Sequence, residues 1–266
     1  MPISDPLKVI FFHNPKSGGT TIEQLLDMKG PDMFISRKYL PNEVYSLEHL
    51  PYTEMQKRIN PEVFDTYFKF TVVRDPWDRV VSTYCWNQRG YKTFEEFVDF
   101  IDRLYTDYNA ETLSSYPEFN KKYCSHLFPQ YIYTGKDVTV YRYEHFNHDV
   151  TSLLQQLNIQ KSIPRENKSS HKHYAAYYTE RTRNIIGKVY AEDIFRFGYK
   201  FETQAPTKPP FEPAKRTDSK QPPQPAFIPK VEPHPPSTPK GKGVPISRLP
   251  PIFQEMVRNT LAQRKL

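Results

Sequence analysis

Three consecutive pieces near the start limit this chain to few folds: Lys8-Val-Ile-Phe-Phe-His13, then Asn14-Pro-Lys-Ser-Gly-Gly19, then Thr20 to Met28. The first piece is short, apolar and rich in branched and aromatic side chains, as a buried strand is. Pro15 and the paired Gly18 and Gly19 end it in a turn. Beyond them Ile22, Leu25 and Leu26 recur at helical spacing. Strand, glycine loop and helix in this order form the supersecondary unit of phosphate-binding α/β proteins. Glycines let the backbone approach an anion closely, and the start of a helix turns unpaired N–H groups toward it. Lys16 adds a positive charge, and Ser17, Thr20 and Thr21 add hydroxyl donors. The loop is not of the Walker type, because its lysine precedes the glycines instead of following the last of them.

The pattern recurs downstream. Tyr67 to Val73 reads as an apolar strand that runs into Arg74-Asp-Pro-Trp77 and a helix from about Asp78 to Asn87. A third strand is expected over Val138 to Arg142, followed by a helix from Asp149 to Leu157. A last long helix is expected from Thr179 to Ile194. The alternation predicts a P-loop-like, three-layer α/β/α domain with a central parallel sheet covered on both faces. Arg74, at a strand end, offers a fork of donors suited to a phosphate, and Ser82 follows within the next helix.

Together, Pro15-Lys-Ser-Gly-Gly-Thr-Thr21 and Val73-Arg-Asp-Pro-Trp-Asp-Arg-Val-Val-Ser-Thr-Tyr84 resemble the carbohydrate sulfotransferases of the heparan and chondroitin type and their bacterial relatives. The resemblance implies a cosubstrate, 3′-phosphoadenosine 5′-phosphosulfate (PAPS), and a hydroxyl acceptor on a carbohydrate. Carried across, Lys16, Ser17, Gly18, Gly19, Thr20 and Thr21 would grip the 5′-phosphosulfate, and Arg74 and Ser82 the 3′-phosphate. Arg79 matches a frequent family arginine, with a structural ion pair as its alternative role. Tyr45-Ser-Leu-Glu-His-Leu-Pro-Tyr52 resembles the family segment that carries a catalytic histidine. That makes His49 the expected base, with His126 and Glu48 as alternatives, and Lys16 the group that stabilises the leaving phosphate. His13, beside the loop, is expected to pack at the strand end or to bond the loop backbone. Pro164-Arg-Glu-Asn-Lys-Ser-Ser170 resembles the family's late loop, in which Asn167, Ser169 and Ser170 would close over the cosubstrate or meet the acceptor. Tyr190 to Tyr199 resembles its closing helix and Phe-Gly-Tyr ending. Neither nucleophile nor leaving group demands a metal, so none is expected.

Composition separates the end of the chain from the rest. From Thr203 to Leu266 lie 15 of the 26 prolines and 11 Lys and Arg against 4 Asp and Glu, so this stretch carries the whole formal charge of +7. Residues 1–202 hold 26 charges of each sign, which argues against general nucleic-acid binding by the folded part. The expected organisation is a sulfotransferase domain over 1–202, a Pro-rich, basic, disordered linker over 203–251 and a short amphipathic helix over 252–266. The spacings Pro210–Pro213, Pro222–Pro225 and Pro236–Pro239 suit a protein partner, and the basic charge an acidic polymer. Cys85 and Cys124 are too few for a disulfide framework and lack metal-site spacing. No run is long enough to span a bilayer and no signal peptide opens the chain, so a cytoplasmic protein is expected, unlike the membrane-anchored animal enzymes. Two other functions compete: a nucleotide-dependent kinase on a related α/β fold, though no Gly-Lys-Ser/Thr is present, and a non-catalytic interaction protein acting through the Pro-rich tail.

Overall fold

In a computed structural model, which describes residues 3–28, 49–86, 91–107, 124–164 and 171–203, four strands form one sheet in the order β1-β2-β3-β4. They are β1 (Ile3–Ser4), β2 (Val9–Phe12), β3 (Phe68–Val73) and β4 (Val138–Arg142). β2 and β3 run parallel, with Val9 opposite Phe68, and β3 and β4 run parallel, with Lys69 opposite Val138. The three strands legible in the sequence are thus the parallel ones. β1 pairs antiparallel with β2, Ile3 opposite Ile10, so the sheet is mixed rather than wholly parallel. A strand of two residues carries no periodicity to read.

Eight α-helices surround the sheet among the described residues: α1 (Gly19–Leu25), α2 (Tyr52–Arg58), α3 (Pro61–Thr66), α4 (Pro76–Trp86), α5 (Phe94–Asp107), α6 (Phe146–Gln156), α7 (Glu180–Val189) and α8 (Ala191–Phe197). Side-chain alternation along β2 decides which helix meets which face. Ile10 and Phe12 join Met55 of α2, Phe64 of α3 and Tyr133 in one buried cluster. Val9 and Phe11, with Phe70 and Val72, join Ile22 and Leu25 of α1 and Val150, Leu153 and Leu154 of α6 in another. Each such side chain contributes about 1.5–3 kcal/mol when fully buried, so apolar packing on both faces holds the layers.

Several boundaries differ from expectation for identifiable reasons. α4 begins at Pro76 rather than Asp78: proline is at home in a first turn, and Asp75 Oδ1 accepts from the N–H of Trp77 at 2.8 Å and of Asp78 at 3.2 Å. The single long helix expected from Thr179 is two, broken at Tyr190, and α8 runs on to Phe197. There Gly198, at φ 65°, ends it in the left-handed region. The helices α2, α3 and α5 were not foreseen. Phe94, Phe97, Val98, Ile101 and Leu104 of α5 are buried at helical spacing, a signal the sequence does contain.

Among the described residues no helix is long and apolar enough to cross a membrane. Glu48, Asn167, Ser169, Ser170, the linker from residue 204 and the terminal helix expected over 252–266 lie outside the described residues.

Candidate active site

The two segments that carry the phosphate-binding pattern leave the same edge of the sheet, at the carboxyl ends of the neighbouring parallel strands β2 and β3. In open α/β sheets this edge is where ligands bind. The first segment turns sharply: Lys16 adopts φ 64° and Gly18 φ 82°, both in the left-handed region. Gly19 is required for space instead. A Cβ there would lie 2.1 Å from His13 Nε2, in hard overlap with the imidazole ring. No backbone N–H from Lys16 to Thr20 is bonded to another described residue, so the loop presents a row of unused donors. Ser17 is buried and turned inward, its Oγ accepting from Asn14 Nδ2 at 3.1 Å; Thr21 is buried too, while Thr20 is exposed. Among the three hydroxyls, only that of Thr20 stands in the open.

The second segment is joined directly to the first. Arg74 Nη1 donates to the Lys16 carbonyl at 2.8 Å, and its Nε and Nη2 both reach Asp78 Oδ2 at 2.8 Å. The guanidinium carbon lies 4.1 Å from the centre of the Tyr143 ring, a cation–π contact. Ser82, also expected in this clamp, is buried on α4. Gln130 couples the segments a second time and is wholly buried. Its Oε1 accepts from Asn14 Nδ2 at 2.7 Å and from the Arg74 N–H at 2.8 Å, and its Nε2 donates to the Arg74 carbonyl at 2.7 Å. Beside Arg74, burial and the carboxylates of Asp78 and Glu144 raise the Asp75 carboxyl to about 7, against the N–H bonds it accepts.

Three histidines line up beside this junction. The rings of His13 and His49 lie 4.5 Å apart, and those of His49 and His126 5.3 Å apart, each pair edge to face. His13 Nδ1 bonds Glu23 Oε1 at 2.6 Å, so the ring is held by a helix side chain rather than by the loop backbone. His49 Nδ1 lies 2.8 Å from the His13 carbonyl. A carbonyl only accepts, so this nitrogen carries the proton and the lone pair of the neutral ring is on Nε2. Burial, and then His13 and His126, hold His49 well below the usual imidazole range. Burial, Lys16, His13 and Arg79 push His126 down to about 3. The Lys16 ammonium rests 5.1 Å from the centre of the Trp86 ring, which in turn lies 4.7 Å from His126 and is 54% exposed. Burial and the neighbouring Arg74 lower Lys16 to about 8, so it remains largely cationic at neutral pH.

His126 belongs to a short 3-10 helix, Cys124–Leu127, and from there to a second one, Gln130–Tyr133, many backbone groups are bonded to distant side chains. Arg79, 1% exposed, donates to the carbonyls of His126 and Phe128 at 3.2 and 2.6 Å. Tyr105 and Tyr190 both donate to the Leu127 carbonyl at 2.7 Å. Asp193 accepts from the N–H groups of Gln130 and Tyr131 at 2.8 and 2.9 Å. Burial raises the Asp193 carboxyl to about 6 even though Arg79 and these N–H groups oppose the shift. Arg79 therefore braces the wall of the site through carbonyls, not through the ion pair expected as its alternative. Glu23, Gln130, Tyr143 and Asp193 escaped the sequence reading, because nothing local distinguishes them from surface or core residues.

Among the described residues no group of three or more His, Cys, Asp or Glu side chains is arranged to hold a metal ion. No curated protein matches the chain. The model of the sulfotransferase family matches residues 1–200, which take in every helix and strand named above, and the chain belongs to that family of sulfuryl-transferring enzymes.

Proposed function

We propose that this enzyme moves a sulfuryl group from PAPS to a hydroxyl of a carbohydrate. The observation that carries the reading is the junction of the two anion-binding segments, where Arg74 bonds the carbonyl of Lys16 at the mouth of the glycine loop. One segment offers unused backbone N–H groups and a lysine, the other an arginine fork. A donor with phosphoryl groups on both its 5′ and 3′ positions matches both at once, and a triphosphate matches neither the order of Lys and Gly nor the second clamp. The residues present therefore fit PAPS.

The chemistry follows from the side chains. His49, neutral over the physiological range, takes the proton of the acceptor hydroxyl on Nε2 as the new sulfur–oxygen bond forms. Lys16 stabilises the charge left on the 5′-phosphate oxygen as the old sulfur–oxygen bond breaks. Positioning and charge stabilisation do the rest, as in phosphoryl transfer. Trp86, exposed beside Lys16 and His126, suits the apolar face of a sugar ring and supports a carbohydrate acceptor. The domain accounts for residues 1–202, and the Pro-rich remainder serves a partner or an acidic polymer.

Calorimetric titration with adenosine 3′,5′-bisphosphate, without added metal, tests the donor site. Micromolar binding by the wild type, strongly weakened in Lys16→Ala and in Arg74→Ala, is expected. No binding by folded wild type would sink the sulfotransferase donor reading.

A further inference from the structure

Arg74 is not a free arginine waiting for an anion. It is 5% exposed and held on three sides: by Asp78 Oδ2, which takes both Nε and Nη2, by the Lys16 carbonyl on Nη1, and by the Tyr143 ring beneath it. A guanidinium has five N–H bonds. Nε and one hydrogen of Nη1 are committed by hydrogen bonds and Nη2 is paired with Asp78 Oδ2 at 2.8 Å, so the donors left for an anion lie on the outer sides of the two terminal nitrogens. The fork cannot turn to bring the others round without breaking its bonds to Asp78.

We infer that Asp78 is a positioning residue that fixes which edge of Arg74 faces the donor, and thereby sets the selectivity for a 3′-phosphorylated nucleotide. The inference rests on the donor reading above and goes beyond it, because Asp78 touches Arg74 and not the nucleotide. Two opposed effects follow from its carboxylate. Its charge offsets that of Arg74 and lowers the attraction for any phosphate. Its contacts remove the entropy that a long side chain otherwise loses on binding, and pre-aim the remaining donors. Asp78 is only one-fifth exposed, its side chain at 21%, and sits one helical turn after Arg74, so it is geometrically fixed. Orientation therefore outweighs charge. The same bonds keep Arg74 Nη1 on the carbonyl of Lys16, which ties the 3′ clamp to the backbone of the residue at the 5′ end.

The test is the ratio of two affinities measured by calorimetry on the full chain: adenosine 3′,5′-bisphosphate against adenosine 5′-phosphate. In Asp78→Ala the ratio falls by about tenfold or more, the worth of a charged hydrogen bond, while binding of the 5′-phosphate alone is little changed. Asp78→Asn, which keeps one acceptor for the guanidinium, lies between, and Asp78→Glu recovers part of the preference. A global loss of structure would lower both affinities together and leave the ratio alone. A ratio unchanged or raised in Asp78→Ala overturns the inference. Should Asp78→Ala not melt cooperatively, Asp78→Asn decides on the same terms. A wild type that binds both nucleotides equally overturns the 3′ clamp, and one that binds neither overturns the donor reading as a whole.

Discussion

Two short stretches meet at the candidate active site, and their backbones are treated in opposite ways. From Lys16 to Thr20 the N–H groups are unused by any described residue. From His126 to Tyr131 the carbonyls and N–H groups are engaged by Arg79, Tyr105, Tyr190 and Asp193. Unpaired polar groups near the interior are costly unless a ligand satisfies them. On the proposed reading the first stretch keeps these donors for the anionic donor nucleotide. The second has most of its groups engaged and holds His126 against His49 and Trp86.

The largest expected effect comes from breaking the wall. Arg79→Ala orphans the buried carbonyls of His126 and Phe128, and unfolding free energy in urea should fall by about 3–6 kcal/mol, about 1.5–3 for each charged hydrogen bond lost. A change below about 1 kcal/mol would mean that the stretch supports itself. On the receptive side, Lys16→Ala should cut turnover of the donor by about 10²–10³-fold and leave the urea midpoint close to wild type; a matching loss of stability would blur the division between the two stretches. Gln130→Ala touches both. It should cost about 1–3 kcal/mol of stability for its orphaned partners and also weaken adenosine 3′,5′-bisphosphate, since Asn14 and Arg74 lose their common bond. Stability alone falling, with binding intact, would show that the segments hold their spacing without it.

The smallest effect concerns pH. Lys16 has its folded value lowered to about 8, so its charge is present below that pH and lost above it. Affinity for the bisphosphate should decline by about tenfold between pH 7 and 9, one unit of proton linkage. Lys16→Ala should flatten that limb. A limb that survives the substitution would assign the titration to another group.

The strand, turn and helix around the glycine loop were legible from sequence and the wall was not. Paired glycines after an apolar run are a local signal, and the strands at residues 9–12, 68–73 and 138–142 carry their own composition. Gln130 bonds Asn14 across 116 positions and Asp193 bonds Gln130 across 63, distances over which spacing says nothing. Arg79 stands in a recognisable motif, yet its target, two carbonyls in and just after a one-turn 3-10 helix, cannot be inferred from the motif. The two residues of β1 are too few to carry a period, whereas α5 carries a helical spacing of apolar residues that the sequence does display.

The imidazole of His13 occupies the space that a side chain at position 19 would need. The exclusion is mutual, which makes the two positions a single unit of sequence change. Relatives that carry alanine or serine at 19 should have exchanged the ring at 13 for something smaller, and the intermediate with both large residues should be missing from the lineage. In mutational terms Gly19→Ala is harmful alone and tolerated after His13→Ala, a sign reversal that an alignment of the family, or the double variant itself, would reveal.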